Sequence, residues 1–151
     1  MRFRWKPGPA ADAEGQLLVS FTEFTFERFR DLPGIVLAGT RLRRRLAAVE
    51  GAVGVSLYMH PLARRGGSVS AWRSEADLRR FVTLPYHVKI MRTYRARGAL
   101  RSAGWESAGF SLSDAYDAGP VRAVPKGPPP TDGTQAEPAA AGRGRRTTGS
   151  P

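Results

Sequence analysis

Between residues 17 and 112 the spacing of apolar positions changes period several times, and each change marks an element. Leu17–Phe26 is rich in Val, Phe and Thr and alternates, which predicts a strand. Asp31 stands where a helix cap is wanted and Pro33 suits a first turn. Leu32, Val36, Gly39, Leu42, Leu46 and Val49 then recur at three- and four-residue intervals, predicting an amphipathic helix up to Gly51. Ala52–His60 alternates again, and the turn 61–67, ending in a glycine pair, leads into a partner strand over 68–72. Ser74 and Asp77 have the spacing of a capping box, and Leu78, Phe81 and Val82 carry the apolar stripe of a second helix. Proline lacks an amide hydrogen and crowds the preceding turn, so Pro85 is expected to divide that helix; Val88, Met91 and Tyr94 resume the spacing as far as Gly98. The stretch 100–112, with Trp105 and Phe110 among small residues, reads as a closing strand.

The order strand, helix, strand, strand, helix, strand predicts an α+β, ferredoxin-like βαββαβ unit, a four-stranded antiparallel sheet with two helices on one face. Alternate residues of a strand face opposite sides. Val19, Phe21, Val55, Leu57, Val69 and Ala71 form an apolar set, expected under the helices. Ser20, Thr22, Phe24, Ser56, Tyr58, His60, Ser68, Ser70 and Trp72 mix rings with hydroxyls and are expected on an open face. Such a face suits a partner subunit's sheet, or a flat ligand that needs a few polar anchors.

The length of 151 residues bounds this to one domain over 16–117, with a flexible lead-in over 1–15, where Phe3 and Trp5 could add an edge strand. From 118 to 151 the chain is Pro-, Gly- and Ala-rich, with almost no large apolar side chain after Val124, and is expected to be a disordered tail. The absence of Cys excludes disulfides, thiolate metal sites and a cysteine nucleophile. No apolar run approaches the roughly 20 residues that span a bilayer, so a cytoplasmic protein without a membrane partner is expected. The net charge of +11 raises nucleic acid as a partner, but the charge is spread along the chain. Arginine outnumbers lysine 21 to 3, a bias that a GC-rich genome produces without any phosphate partner. An RNA-recognition module shares this topology but needs three stacking rings on its third strand. Counting from Arg65 and Gly66, those places hold Gly67, Val69 and Trp72, which argues against RNA.

The run Gly-Ser-Val-Ser-Ala-Trp-Arg-Ser-Glu-Ala-Asp-Leu at 67–78, followed by Phe81, Pro85, Tyr86, His87, Met91 and Arg92, resembles the third-strand and second-helix signature of the dimeric α/β barrel superfamily. That superfamily includes antibiotic biosynthesis monooxygenases, haem-degrading monooxygenases and spheroidene monooxygenase-like proteins. The resemblance covers 17–112 and implies a homodimer through the open sheet, with a ligand pocket between sheet and helices in each subunit. It implies a monooxygenase-like protein acting on a hydrophobic, aromatic small molecule. The competing classes are a non-catalytic dimeric ligand-binding or structural protein, a haem-binding protein and an RNA-binding module.

His87 matches the superfamily's second-helix histidine, the proximal ligand of its haem-binding members. Packing, proton transfer and haem ligation are all open to an imidazole there. The haem-degrading members also use an asparagine on the first strand, and this chain has none, which argues against haem degradation; no cofactor and no metal site are expected. His87 and Tyr58 are the candidate catalytic groups. Trp72, Ser70, Thr22, Phe24, Ser56 and His60 are the candidate substrate contacts, Trp72 by stacking and the hydroxyls and imidazole by orienting an oxygenated ligand.

Overall fold

The computed structural model describes residues 1–126; most of the expected tail, 127–151, lies outside the described residues. The strands are β1 (Lys6–Pro7), β2 (Leu17–Phe26), β3 (Ala52–His60), β4 (Arg65–Trp72), β5 (Gly98–Ser107) and β6 (Val124–Pro125). The helices are α1 (Leu32–Leu46), α2 (Glu75–Val82), α3 (Pro85–Arg95) and α4 (Leu112–Arg122). One six-stranded sheet runs in the order β1-β3-β4-β2-β5-β6. Its four long inner strands are those predicted, all antiparallel, and the two extra strands of two residues each pair at the edges. Pro85 divides the second helix into α2 and α3, and the Ser74 hydroxyl accepts the Asp77 amide at 3.2 Å, as the capping box predicts. Asp31 caps nothing; its carboxylate takes the Arg97 guanidinium at 3.0 Å instead, because a 3₁₀ turn over Phe29–Asp31 leads into α1.

Both faces of the sheet are covered. On one, Leu46, Val55, Trp72 and Phe81 form a core under α1 and α2, with Leu84 and Tyr86 from the start of α3 packed against it. On the other, Val19, Phe21, Tyr58 and Val69 pack under Ala115 and Tyr116 of α4. Phe21 is 1% exposed and Val69 0% within a single chain. Full burial of each such large side chain stabilises the fold by roughly 1.5–3 kcal/mol. The boundary expected at Asp117 therefore falls inside α4, and the closing strand ends at Ser107 rather than Leu112 because Ser111 caps α4 by accepting the Asp114 amide. The lead-in is built into the fold too: Lys6 and Pro7 pair with β3, and the Trp5 ring lies 4.8 Å from that of Phe110.

The faces are not divided as the alternation suggested. Register pairs Val55 with Ser70 and Ser70 with Ser20, while Ser56 pairs with Val69 and Val69 with Phe21. Antiparallel partners share a face, so even-numbered β2 and β4 residues lie with odd-numbered β3 residues. Val55 and Leu57 face α1 and α2, together with Ser20, Thr22, Phe24, Ser70 and Trp72. Val19, Phe21, Val69 and Ala71 lie on the opposite side, expected to be the helix side, and α4 with the lead-in covers them. A single open face joining Phe24, Tyr58 and Trp72 does not exist in this fold.

Candidate functional site

The residues beneath α1 and α3 do not form a dry core. At the centre of the sheet, register places Ser68, Thr22 and Ser102 side by side, with Ser70 and Ser20 in the next row. Trp72 and Leu18 flank this patch at one end, and Phe24 and Leu100 at the other. Of the five hydroxyls, only Ser70 has a hydrogen-bond partner among the described residues: its Oγ accepts the Trp72 indole N–H at 3.0 Å. Ser20, Thr22, Ser68 and Ser102 are half-buried. Above them α1 buries only Leu46 completely, and α3 buries no residue completely. Half-buried hydroxyls without protein partners demand water or a ligand. From these hydroxyls we infer room for a ligand between the floor and the helices, termed the cleft; the cavity of about 400 Å³ that the structure shows lies elsewhere, against Trp5, Leu17, Val53 and Phe110.

Aromatic rings stand at both ends of this floor. Trp72 is fully buried, with its ring centroid 5.1 Å from Phe81, and Phe81 lies 4.8 Å from His87. At the far end Phe24 meets Tyr94 of α3 edge to face at 6.3 Å. Pro85 starts α3 afresh, and this turns His87 inward so that Nδ1 sits 3.0 Å from the Val82 carbonyl. A carbonyl only accepts, so Nδ1 carries the proton and Nε2 keeps a free lone pair. Burial depresses the His87 pKa, the Lys126 charge depresses it further, and the Val82 bond opposes both. The imidazole is a neutral base with its acceptor nitrogen unengaged among the described residues.

Ser56, Tyr58 and His60 lie on the other face, away from the cleft. Tyr58 donates to Glu23 Oε2 at 3.1 Å, and Glu23 Oε1 lies 3.9 Å from the Arg101 guanidinium. Burial raises the Tyr58 pKa far above the usual phenol range, and the Glu23 charge raises it further. Tyr58 can thus neither ionise near neutrality nor reach a substrate that touches His87. Ser56 accepts the Tyr116 hydroxyl at 2.7 Å and donates to the Phe3 carbonyl at 2.6 Å. His60 is exposed at the strand end. The eight predicted site residues split five to three: His87, Trp72, Ser70, Thr22 and Phe24 share the cleft, and the others tie α4 and the lead-in to the sheet or face solvent. Ser102, Phe81, Tyr94 and Lys126 were not foreseen as site residues; the even register of β5 against Thr22 is the signal that would have found Ser102.

Among the described residues no group of three or more His, Cys, Asp or Glu could hold a metal, and no helix is long and apolar enough to cross a membrane. Iron ligation in a bound haem would fall to His87 Nε2 alone, since His60 is on the opposite face.

No protein-family model and no curated relative matches the sequence. Solved structures do resemble the fold. SnoaB, a cofactor-independent oxygenase from Streptomyces nogalater, superimposes with a TM-score of 0.51 at 15% identity over 64% of this chain and 96% of its own. A putative antibiotic biosynthesis monooxygenase from Nitrosomonas europaea gives 0.55 at 11% identity over 66% and 96%. A conserved protein from Bacteroides thetaiotaomicron, described as a possible oxidoreductase, gives 0.52 at 11% identity over 63% and 100%. Likeness at such identity carries the fold alone: the chain shares the α+β, ferredoxin-like fold of these three structures.

Proposed function

We propose that this protein is a monooxygenase-like enzyme that binds a hydrophobic, aromatic small molecule between the sheet and helices α1 and α3, and that His87 Nε2 accepts a proton from it. The carrying observation is the meeting of a free imidazole nitrogen, the ring wall of Trp72 and Phe81, and a floor of unpartnered hydroxyls on one side of the sheet. The rings match a flat apolar body, and Ser20, Thr22, Ser68 and Ser102 can hydrogen-bond oxygens on it. SnoaB, which shares the fold, is a cofactor-independent oxygenase, and this supports a reaction that needs no cofactor here.

The chemistry closes without an outside reductant when the substrate has a ring methylene activated by phenolic groups. Removal of one proton by His87 gives an anion that reduces dioxygen. The carbon leaves as a carbonyl and the second oxygen as water, so the methylene and dioxygen balance as carbonyl plus water. The protein binds, excludes water and takes the proton; a base with a depressed pKa remains in its accepting form throughout the neutral range. A homodimer belongs to this proposal with an interface other than Val19, Phe21 and Val69, which α4 covers. Light scattering on the full chain tests it, and a monomer at micromolar concentration removes it.

Oxygen uptake with anthrone-type phenols tests the activity. Uptake by the wild type is expected to fall by about 10²-fold or more in His87→Ala, in line with the loss of a general base. Equal uptake by both proteins removes His87 from the mechanism, and no uptake by either removes the oxygenase reading for this substrate class.

A further inference from the structure

We propose that the cleft selects an aromatic anion, a ring system bearing a carboxylate or a phenolate, and that Lys126 binds its charged oxygen. This rests on the cleft being the ligand site, and it adds the charge of the ligand and the residue that reads it.

The first support is the sign of the helical layer. Helix α1 carries Arg41, Arg43, Arg44 and Arg45 and no Asp or Glu; α3 carries Lys89, Arg92 and Arg95 and again neither acid. None of these seven cations forms an ion pair among the described residues, whereas α2 places its arginines against Glu75 and Asp77. Six of the seven are exposed and Arg43 donates to the Arg4 carbonyl at 2.7 Å, so they act on a ligand as a diffuse positive field from the helical layer, not as direct contacts.

The second support is where the chain goes after α4. β6 pairs with the edge of β5, and the Lys126 amide then donates to the Leu100 carbonyl at 2.9 Å. Leu100 and Ser102 are the floor residues of that edge, so the chain delivers a lysine to the open side of the hydroxyl floor. The Lys126 charge also reaches His87, whose imidazole it disfavours in the charged form. An anion placed between the two would meet an ammonium on one side and a neutral proton acceptor on the other. The one carboxylate that register places on this side of the sheet, Glu106, lies beside Leu18 at the Trp72 end and is engaged by the Gln16 amide at 3.0 Å. That arrangement leaves the Lys126 end for the ligand's charge and the Trp72 end for its rings.

The test compares 2-naphthoate with its neutral isostere 2-naphthylmethanol by calorimetric titration of the full chain, in wild type, Lys126→Ala and Ser102→Phe. 2-Naphthoate is expected to bind about tenfold more tightly, the worth of one charge-assisted contact. Lys126→Ala should bring the two ligands to similar affinity while leaving the alcohol unchanged, and Ser102→Phe, which fills the floor, should abolish both. The preference should survive moderate salt, because diffuse attraction to the helical arginines is screened and a direct ammonium contact is screened less. Equal binding of the two ligands by the wild type, or a preference that persists in Lys126→Ala, overturns the inference and leaves the cleft reading standing. Binding of neither ligand, or binding undiminished in Ser102→Phe, overturns the inference and the cleft reading together.

Discussion

Replacing Gly119 with alanine separates two accounts of α4 by the sign of one number. If α4 were a solvated helix lying loosely on the sheet, losing a helical glycine would stabilise the protein by about 1 kcal/mol. The structure demands the reverse. A Cβ at position 119 would stand 2.8 Å from Cε2 of the Phe21 ring and closer still to its Cγ and Cδ2, where ordinary contact begins at 3.4 Å. Phe21 has nowhere to go, since it is 1% exposed and stacks on Tyr58 at 5.8 Å between centroids. Helix α4 must lift, and overpacking of this kind costs about 1–3 kcal/mol, which outweighs the gain in propensity and leaves a net loss of about 1 kcal/mol. Urea unfolding of the full chain reads this as a lower midpoint at constant slope. Gly109→Ala, where the new methyl meets nothing within 4 Å, is the control and should stay within about 0.5 kcal/mol of wild type. Phe21→Leu combined with Gly119→Ala should recover part of the loss, giving a coupling of about 0.5 kcal/mol or more. A Gly119→Ala protein as stable as wild type or more so, or the absence of coupling to Phe21, refutes the packing of α4 on this face.

The Tyr86 hydroxyl is buried without a hydrogen-bond partner, so Tyr86→Phe should raise stability by about 1 kcal/mol while the ring keeps its place under Arg45; a loss of stability would mean the hydroxyl is satisfied. Tyr58→Phe strands a buried oxygen of Glu23 and should cost about 1–3 kcal/mol, leaving oxygen uptake unchanged because Tyr58 is not in the cleft. His87 has a folded pKa below its unfolded value of about 6.5, so the unfolded chain binds the extra proton first. Stability should therefore fall as pH drops through that value toward the folded pKa, and His87→Gln should flatten this limb in urea titrations between about pH 5 and 7. Hemin titration should give no salt-resistant Soret change, because a polar hydroxyl floor is a poor seat for the apolar faces of a macrocycle; a saturable change lost only in His87→Ala would make His87 an axial ligand.

The element order was legible because each long strand and helix carries its own period, and Pro85 and the Ser74 cap mark breaks that local chemistry enforces. The orientation of the sheet was not, because it depends on pairing between distant segments. β3 is irregular between Ala52 and Gly54, so the Ala52–Trp72 pairing and the Val55–Ser70 pairing are offset by a residue. Numbering parity therefore says nothing about whether Tyr58 and Trp72 share a side. The assumption that the more apolar set lies under the predicted helices failed for a second reason. Helix α4 was hidden in a stretch of Ser, Asp, Ala, Gly and Pro whose few large residues, Leu112, Tyr116 and Val121, are too sparse to announce a stripe, yet Ala115, Tyr116 and Gly119 are all it needs to cover Phe21. His87, Trp72 and Ser70 fall on one side of the sheet, as expected of one contiguous stretch; Tyr58 falls on the other side because it comes from a different strand.

The two faces of β2 show why a single strand can support a dry core and a wet cleft at once. Val19 and Phe21 point to α4 and lose their water entirely, while Ser20 and Thr22, one residue along, point to α1 and α3 and stay half-exposed. Burying a hydroxyl without a partner costs about 1–3 kcal/mol, so four unpartnered hydroxyls under closely packed helices would cost the domain a large part of its stability. Helices that stand off the floor avoid that cost, and the stability is recovered on the opposite face, where α4 and the lead-in seal an apolar surface. A sequence that placed valine at 20, 22 and 102 would let α1 and α3 settle onto the sheet and close the cleft. Serine and threonine there keep the helices from settling, because closure would strip their hydroxyls of water with no protein partner to replace it.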